Sequence, residues 1–237
     1  DVTEALEDCG REQAAWIPKV YGYVFKKDSP SCGMERVKVY NKTTPSRNGR
    51  GIFAAVVMDM FPDLPVEEEG RLGDARLREN FIKRVFVYKR WRDLLDSGVT
   101  RNGIVDFHAR HKLIYTSHSQ AKARELGRLV ATIADHDIND FCNLYMAQVT
   151  DLMRKPASRK NHTNVLQHIQ GYLKRDLDGG DRQELEQMIE HYRLGVLPLI
   201  VPITILRHHF RKYPDDYIDR SWYMHPHPVE LMLHNQL

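Results

Sequence analysis

Cysteine is scarce in this 237-residue chain, occurring only at positions 9, 32 and 142. Three scattered thiols exclude a disulfide framework and point to a reducing, cytoplasmic setting. Long apolar runs are missing too. The most apolar window, Val196 to Leu206, holds two prolines and falls short of the ~18 residues of a membrane span, so no membrane partner is expected. Charge of one sign is not in excess: 35 Lys and Arg stand against 32 Asp and Glu, a net charge of +3. That excludes a global polycation, and any nucleic-acid partner must be met by a local patch. There is no internal repeat, low-complexity stretch, signal peptide or targeting pattern. The chain starts at Asp1 without Met, which is read as part of a longer protein. What is present is an ordinary globular composition, 42% hydrophobic and 28% charged. Histidine is lopsided: all 12 lie between His108 and His234, which places a seam between two regions a little before 108.

The pattern along the chain changes at the same place. Residues 1–15 are expected to be helical, with Val2, Ala5, Leu6 and Cys9 on one apolar face. Gly22 to Lys26 reads as a short buried strand, and Glu35 to Tyr40 alternates like a second. A Thr, Pro, Ser, Asn and Gly loop follows, then an apolar helix from Gly51 to Pro62 and a strand candidate at Leu64 to Val66. This grammar, with some three strands, is that of part of an α/β sheet. From Asp74 the period becomes 3.6: Leu77, Phe81, Val85, Tyr88 and Leu95 predict one helix to about Asp96. Ser97-Gly98 and Asn102-Gly103 are expected to form a hinge. Helices are then predicted near 104–117, 119–134, 138–154, 161–175, 181–194 and 199–212. Ser119 serves as a cap, Pro156 as a stop and Gly179-Gly180 as a turn. The fold class expected is α+β, an incomplete α/β region followed by an all-α domain.

The loop Lys27 to Gly33, KDSPSCG, directly follows the first strand, and in open α/β sheets ligands sit at the carboxyl ends of strands. A cysteine there, beside Lys26 and Lys27 and among free loop amides, is a candidate thiolate. Thiolates either attack or bind soft metal; the alternative is a structural cysteine in a turn. Cys9 and Cys142 fall on apolar helical faces and are expected in the core.

The runs GYVFKKDSPSCGMERVKVY and NGRGIFAAVVMDMFPDLPVEEEG resemble the thiouracil desulfidase (TudS) family, whose hallmark is a lysine-rich strand running into S-P-S-C-G. The runs FHARHKLIYTSHS, ELGRLVA, NVLQHIQGYLKR, YRLGVLPLIVPITILRHH and HPHPVELMLHN resemble the YbgA-like helical domain. The fused order resembles RudS-type desulfidases, which implies removal of sulfur from 4-thiouridine in tRNA. On this resemblance residues 1–73 are the C-terminal portion of a Rossmann-like desulfidase domain. Residues 74–103 are a connecting helix and hinge, and 104–237 the helical domain. The resemblance implies a [4Fe-4S] cluster held by three cysteines, with Cys32 as one ligand and Ser29 as a hydroxyl assisting proton transfer. It places the other two cysteines and a glutamate in an N-terminal segment that this chain lacks. The chain as it stands is therefore expected to be without the cluster and inactive. Ser31 is expected only to shape the turn.

The helical region offers two further patterns. His108 with His111, His162 with His168, and His208-His209 recur at helical spacing, but no Glu-x-x-His motif accompanies them. Histidines hydrogen-bonded in a helical core are therefore favoured over a metal site. The loop RKPASRKNH is the most cationic short stretch, and one leading into a helix suits phosphates. Arg154, Lys155, Arg159, Lys160, His162 and Lys174, with Lys26 and Lys27 of the first region, are the candidate RNA-contacting residues. Two other functions stay open: a nucleic-acid-binding or interaction module without chemistry, and a desulfidase acting on free thiolated uracil.

Overall fold

The computed structural model describes residues 2–40, 44–228 and 231. The first residues of the loop at 41–43, His234 and the end of the HPHPVELMLHN run lie outside them. The chain is α+β and divides into two compact units, residues 1–89 and 90–237.

In the first unit, helix α1 (Thr3–Glu12) leads through two 3-10 turns to strand β1 (Tyr23–Phe25). Strands β2 (Val37–Tyr40) and β3 (Pro45–Gly49) come next, then helix α2 (Ile52–Met60) and strand β4 (Val66–Glu68). β1 and β4 pair in parallel with Tyr23 opposite Val66 and Phe25 opposite Glu68. β2 pairs instead with β3, antiparallel, with a bulge between Val37 and Lys38. The expected three-stranded sheet is thus two separate two-stranded ones, and the polar run read as loop supplies the second strand of a hairpin. A hairpin needs only backbone pairing between neighbours in sequence, so its weak side-chain pattern did not announce it.

Cys9 corrects another expectation: it is exposed. The buried position of α1 is Gly10, whose missing side chain allows Val56 of α2 so close that a Cβ would stand 2.9 Å from it. With the contact running through Gly10, the face bearing Val2, Ala5 and Cys9 turns outward.

Helix α3 (Ala75–Asp96) follows, and the division between the units falls inside it. The second unit contains α4 (Arg101–His118), α5 (Gln120–Ala131), α6 (Ile138–Met153), α7 (Arg159–Gln170), α8 (Gly179–Leu194), α9 (Ile200–Lys212) and the short α10 (Asp216–Arg220). Side chains start them: Ser119 accepts from Lys122, Asp137 from Asn139 and Asp140, and Ser158 from Asn161. Each bond satisfies a helix amide that lacks a partner inside the helix. Capping also explains two corrections. Thr100 accepts from Gly103 N, drawing Asn102-Gly103 into the first turn of α4 rather than a hinge. Asp178 likewise draws Gly179-Gly180 into α8. The core of this unit is built on Ile114, Leu126, Phe141, Tyr145, Leu166, Ile169, Ile203 and Leu206, each at most 1% exposed. Among the described residues no helix is long and apolar enough to cross a membrane.

Candidate functional site

The Ser29-Pro-Ser-Cys32-Gly33 turn leaves the carboxyl end of β1 and is folded on itself by one residue. Ser29 Oγ accepts the amides of Ser31 at 3.3 Å and Cys32 at 3.1 Å, and its carbonyl accepts Gly33 N at 2.8 Å. The start of α2 closes onto the same turn: Gly51, Ile52 and Ala54 donate to the carbonyls of Gly33, Pro30 and Ser31. This approach requires Gly51, because a Cβ there would lie 2.5 Å from the Ser31 carbonyl and 2.7 Å from Cys32 N. Behind the turn, buried Glu68 accepts Met34 N at 2.9 Å. Glu67, also buried, receives Arg71, whose guanidinium also reaches Glu35 at 2.6 Å.

The hydroxyls form a chain. With two amides on its oxygen, Ser29 has its own O–H to donate, and Ser31 Oγ lies 3.0 Å away. Ser31 Oγ in turn is 3.3 Å from Cys32 Sγ, within reach of a bond to sulfur. A continuous hydrogen-bonded path therefore links Ser29, Ser31 and the Cys32 sulfur. Ser29, Ser31 and Cys32 are all half-buried, neither sealed nor fully solvated. Sequence reasoning missed the bridging place of Ser31; its position next to Cys32 and one proline away from Ser29 was the available signal. Tyr23, on β1, has its hydroxyl pushed up in pKa by burial and by the negative charge that Cys32 and Cys9 can carry.

Lys26 is exposed and paired with Glu69 at 2.9 Å, which raises the lysine and lowers the carboxylate. Glu69 also accepts Lys27 N at 2.6 Å, leaving the Lys27 ammonium outward. The described donors do not make up a three-cysteine set. Cys9 is exposed on α1, Cys142 is buried in the helical unit, and no three His, Cys, Asp or Glu side chains come together among the described residues. One thiol in the turn does not fit such a cluster.

In the helical unit the candidate cations separate. Arg154, Lys155, Lys160 and Lys174 are exposed. Arg159 is half-buried, donates to the Tyr192 carbonyl at 2.6 Å and stacks over the Tyr192 ring, so its guanidinium is engaged internally. His162 is corrected outright: it is 6% exposed, with Nδ1 2.8 Å from Tyr223 Oη, and faces the core rather than a phosphate. Other histidines are core residues too. His111 is fully buried, with Nδ1 donating to the Phe107 carbonyl at 2.7 Å, and His118 donates to the Lys155 carbonyl. His108 lies 3.2 Å from Tyr145 Oη. Burial pushes His111 down to about 3, helped by the charges of Arg90 and Arg110, and His108 down to about 4.

A parallel strand pair ending in a Ser-Pro-Ser-Cys-Gly turn, followed by an all-helical unit, defines a two-part α+β protein with its reactive groups in the first part. Residues 1–69 match the family described as 2-thiouracil desulfurase. Residues 112–228 match the family described as a protein of unknown function (DUF1722). A curated relative, "Uncharacterized protein YbgA" of Escherichia coli (strain K12), is 36% identical over 149 residues, which are 62% of this chain and 88% of the relative. The chain belongs to the YbgA-like family. No solved structure matches it.

Proposed function

We propose that this chain supplies the Ser-Pro-Ser-Cys turn and the helical unit of a desulfidase that exchanges the sulfur of a thiolated uracil for oxygen, with 4-thiouridine in tRNA as its substrate. The observation that carries this reading is the hydrogen-bonded order Ser29–Ser31–Cys32 in a half-buried turn at the end of β1, within the stretch that matches the 2-thiouracil desulfurase family. The overall reaction is hydrolytic: water supplies the oxygen of the new carbonyl, and the sulfur leaves as hydrogen sulfide with the two protons of that water. No oxidant or reductant is needed. Ser29, fixed by two amides, holds a proton in a defined direction, the arrangement a proton relay requires. Ser31 connects that proton to the sulfur end of the turn. Glu68 and Gly51 keep the turn in shape. In the helical unit, Arg154, Lys155 and Lys160 stand outward at the α6–α7 junction, where they serve the phosphates of tRNA.

The iron–sulfur dependence implied by the resemblance needs thiolates beyond the one in this turn. It is therefore tested together with activity. The experiment follows loss of the thiocarbonyl absorbance of 4-thiouridine in tRNA and of free thiouracil, with iron content measured on the same samples of the full-length gene product. Wild-type turnover of the tRNA substrate that disappears in Cys32→Ser is the expected result. Turnover of free thiouracil alone would replace the tRNA reading with the free-base one. Full activity of Cys32→Ser would overturn both.

A further inference from the structure

A cavity lies in the helical unit between α4, α5 and α7. It is about 960 Å³, at the upper end of what ligand sites occupy. Lys112 of α4 and Arg124 and Arg128 of α5 line it, and Asn164 and Gln167 of α7 present amides into it. No carboxylate is among its lining residues. None of Lys112, Arg124 and Arg128 is in an ion pair among the described residues, although Lys122, Arg193 and Arg220 of the same unit each find an acid. Between the cations the accessible walls are small, Thr116, Gly127 and Ala131, with Leu113, Ala123 and Val165 buried behind them.

Gly127 is a second, independent sign. It sits in the middle of α5, one residue before Arg128, where glycine is the poorest helix former apart from proline. Packing does not demand it: a Cβ there would meet nothing nearer than His108 Nε2, at an unstrained 3.8 Å. The missing side chain instead keeps the cavity open beside the two arginines.

We propose that this groove is a binding site for a nucleoside phosphate. Lys112, Arg124 and Arg128 take the phosphate; Asn164 and Gln167, which can donate and accept together, meet the base edge. The small walls receive the faces of the base and sugar. The ligand is either a free nucleotide or one unit of a nucleic-acid strand, and the chemistry at the groove is the same. The inference does not rest on the desulfidase reading, since no sulfur chemistry enters it.

The test titrates the full chain with uridine monophosphate and, separately, with a fluorescently labelled oligouridylate lacking any thiolated base. Saturable binding of the mononucleotide identifies a free-nucleotide site; binding of the oligomer only identifies a strand. Gly127→Met fills the groove without changing charge and improves the helix, so it is expected to fold and to weaken binding at least tenfold. Arg124→Ala with Arg128→Ala is expected to weaken binding by a similar factor. In the oligomer arm it should also flatten the salt slope by up to about 1.4, two contacts at about 0.7 each. Absence of binding to both probes would overturn the proposal. So would wild-type affinity in Gly127→Met, which would mean that the exposed arginines act merely as surface charge. Because neither probe carries sulfur, all these outcomes are independent of whether the chain desulfurates anything.

Discussion

The two units use their polar side chains in opposite ways. In residues 1–89 the groups capable of chemistry, two hydroxyls and a thiol, sit half-buried in one five-residue turn, in partial contact with solvent. In residues 90–237 five histidines are packed inward, His108, His111, His118, His162 and His209, all at most 9% exposed, while His168, His191, His208 and His225 are exposed. A histidine-rich segment invites a metal or catalytic reading, yet His108, His111, His118 and His162 act as hydrogen-bonding members of a helical core. Residue type is a poor guide to a site; access and unused bonding capacity are better ones. The same contrast separates Arg159, held on Tyr192, from Lys160, its exposed neighbour.

The strongest challenge to this contrast is at the thiols. Cys32→Ser should abolish desulfuration in the full-length gene product, while Cys142→Ser and Cys9→Ser leave it intact, read by thiocarbonyl absorbance. An inactive Cys9→Ser would show that the exposed thiol of α1 belongs to the site. Next in size, Ser29→Ala should slow turnover about 10²-fold, the usual scale for a positioned proton donor. Ser31→Ala should slow it less, about tenfold, because water can stand in for one hydroxyl of a chain. Equal rates for Ser29→Ala and wild type would remove the relay.

On the helical side, acid should act through the buried histidines. Their folded pKa values lie below the unfolded value near 6.5, so the unfolded chain binds more protons and stability falls as pH falls. Each should contribute a loss of roughly 1.5–2 kcal/mol between about pH 6.5 and about pH 5, visible in urea midpoints followed by helical signal. A midpoint constant across that range would show that these rings titrate in the folded chain as they do in the unfolded one. The smallest effect sharpens the cation division. Arg154, Lys155 and Lys160 replaced together by Ala should weaken tRNA binding severalfold and leave the melting temperature unchanged. Arg159→Ala should instead cost about 1–2 kcal/mol of stability, through the lost carbonyl bond and ring contact.

Much of this architecture is decided within a few residues of chain. The caps Thr100, Ser119, Asp137, Ser158 and Asp178 bond to amides two or three positions on. Local signals of this kind make the six longer helices of the second unit legible to within a few residues, although the caps at Thr100 and Asp178 went unread and the short α10 was not expected. Pro30 and Gly33 likewise determined that Cys32 lies in a turn after a strand. Three-residue strands carry no such local signature. The pairing of β1 with β4 and of β2 with β3 was settled by packing and backbone bonds between separate segments. Only the tertiary structure placed Cys9 outward, because that depended on how Gly10 meets Val56. Only it set Ser31 between Ser29 and Cys32, turned His162 to Tyr223 across 61 residues, and took Arg159 to Tyr192 across 33. The groove at Gly127 is of the same kind, formed where three helices converge. Local bonds are written in adjacent residues; burial and the partner of a side chain depend on segments far away in sequence, so periodicity and composition do not contain them.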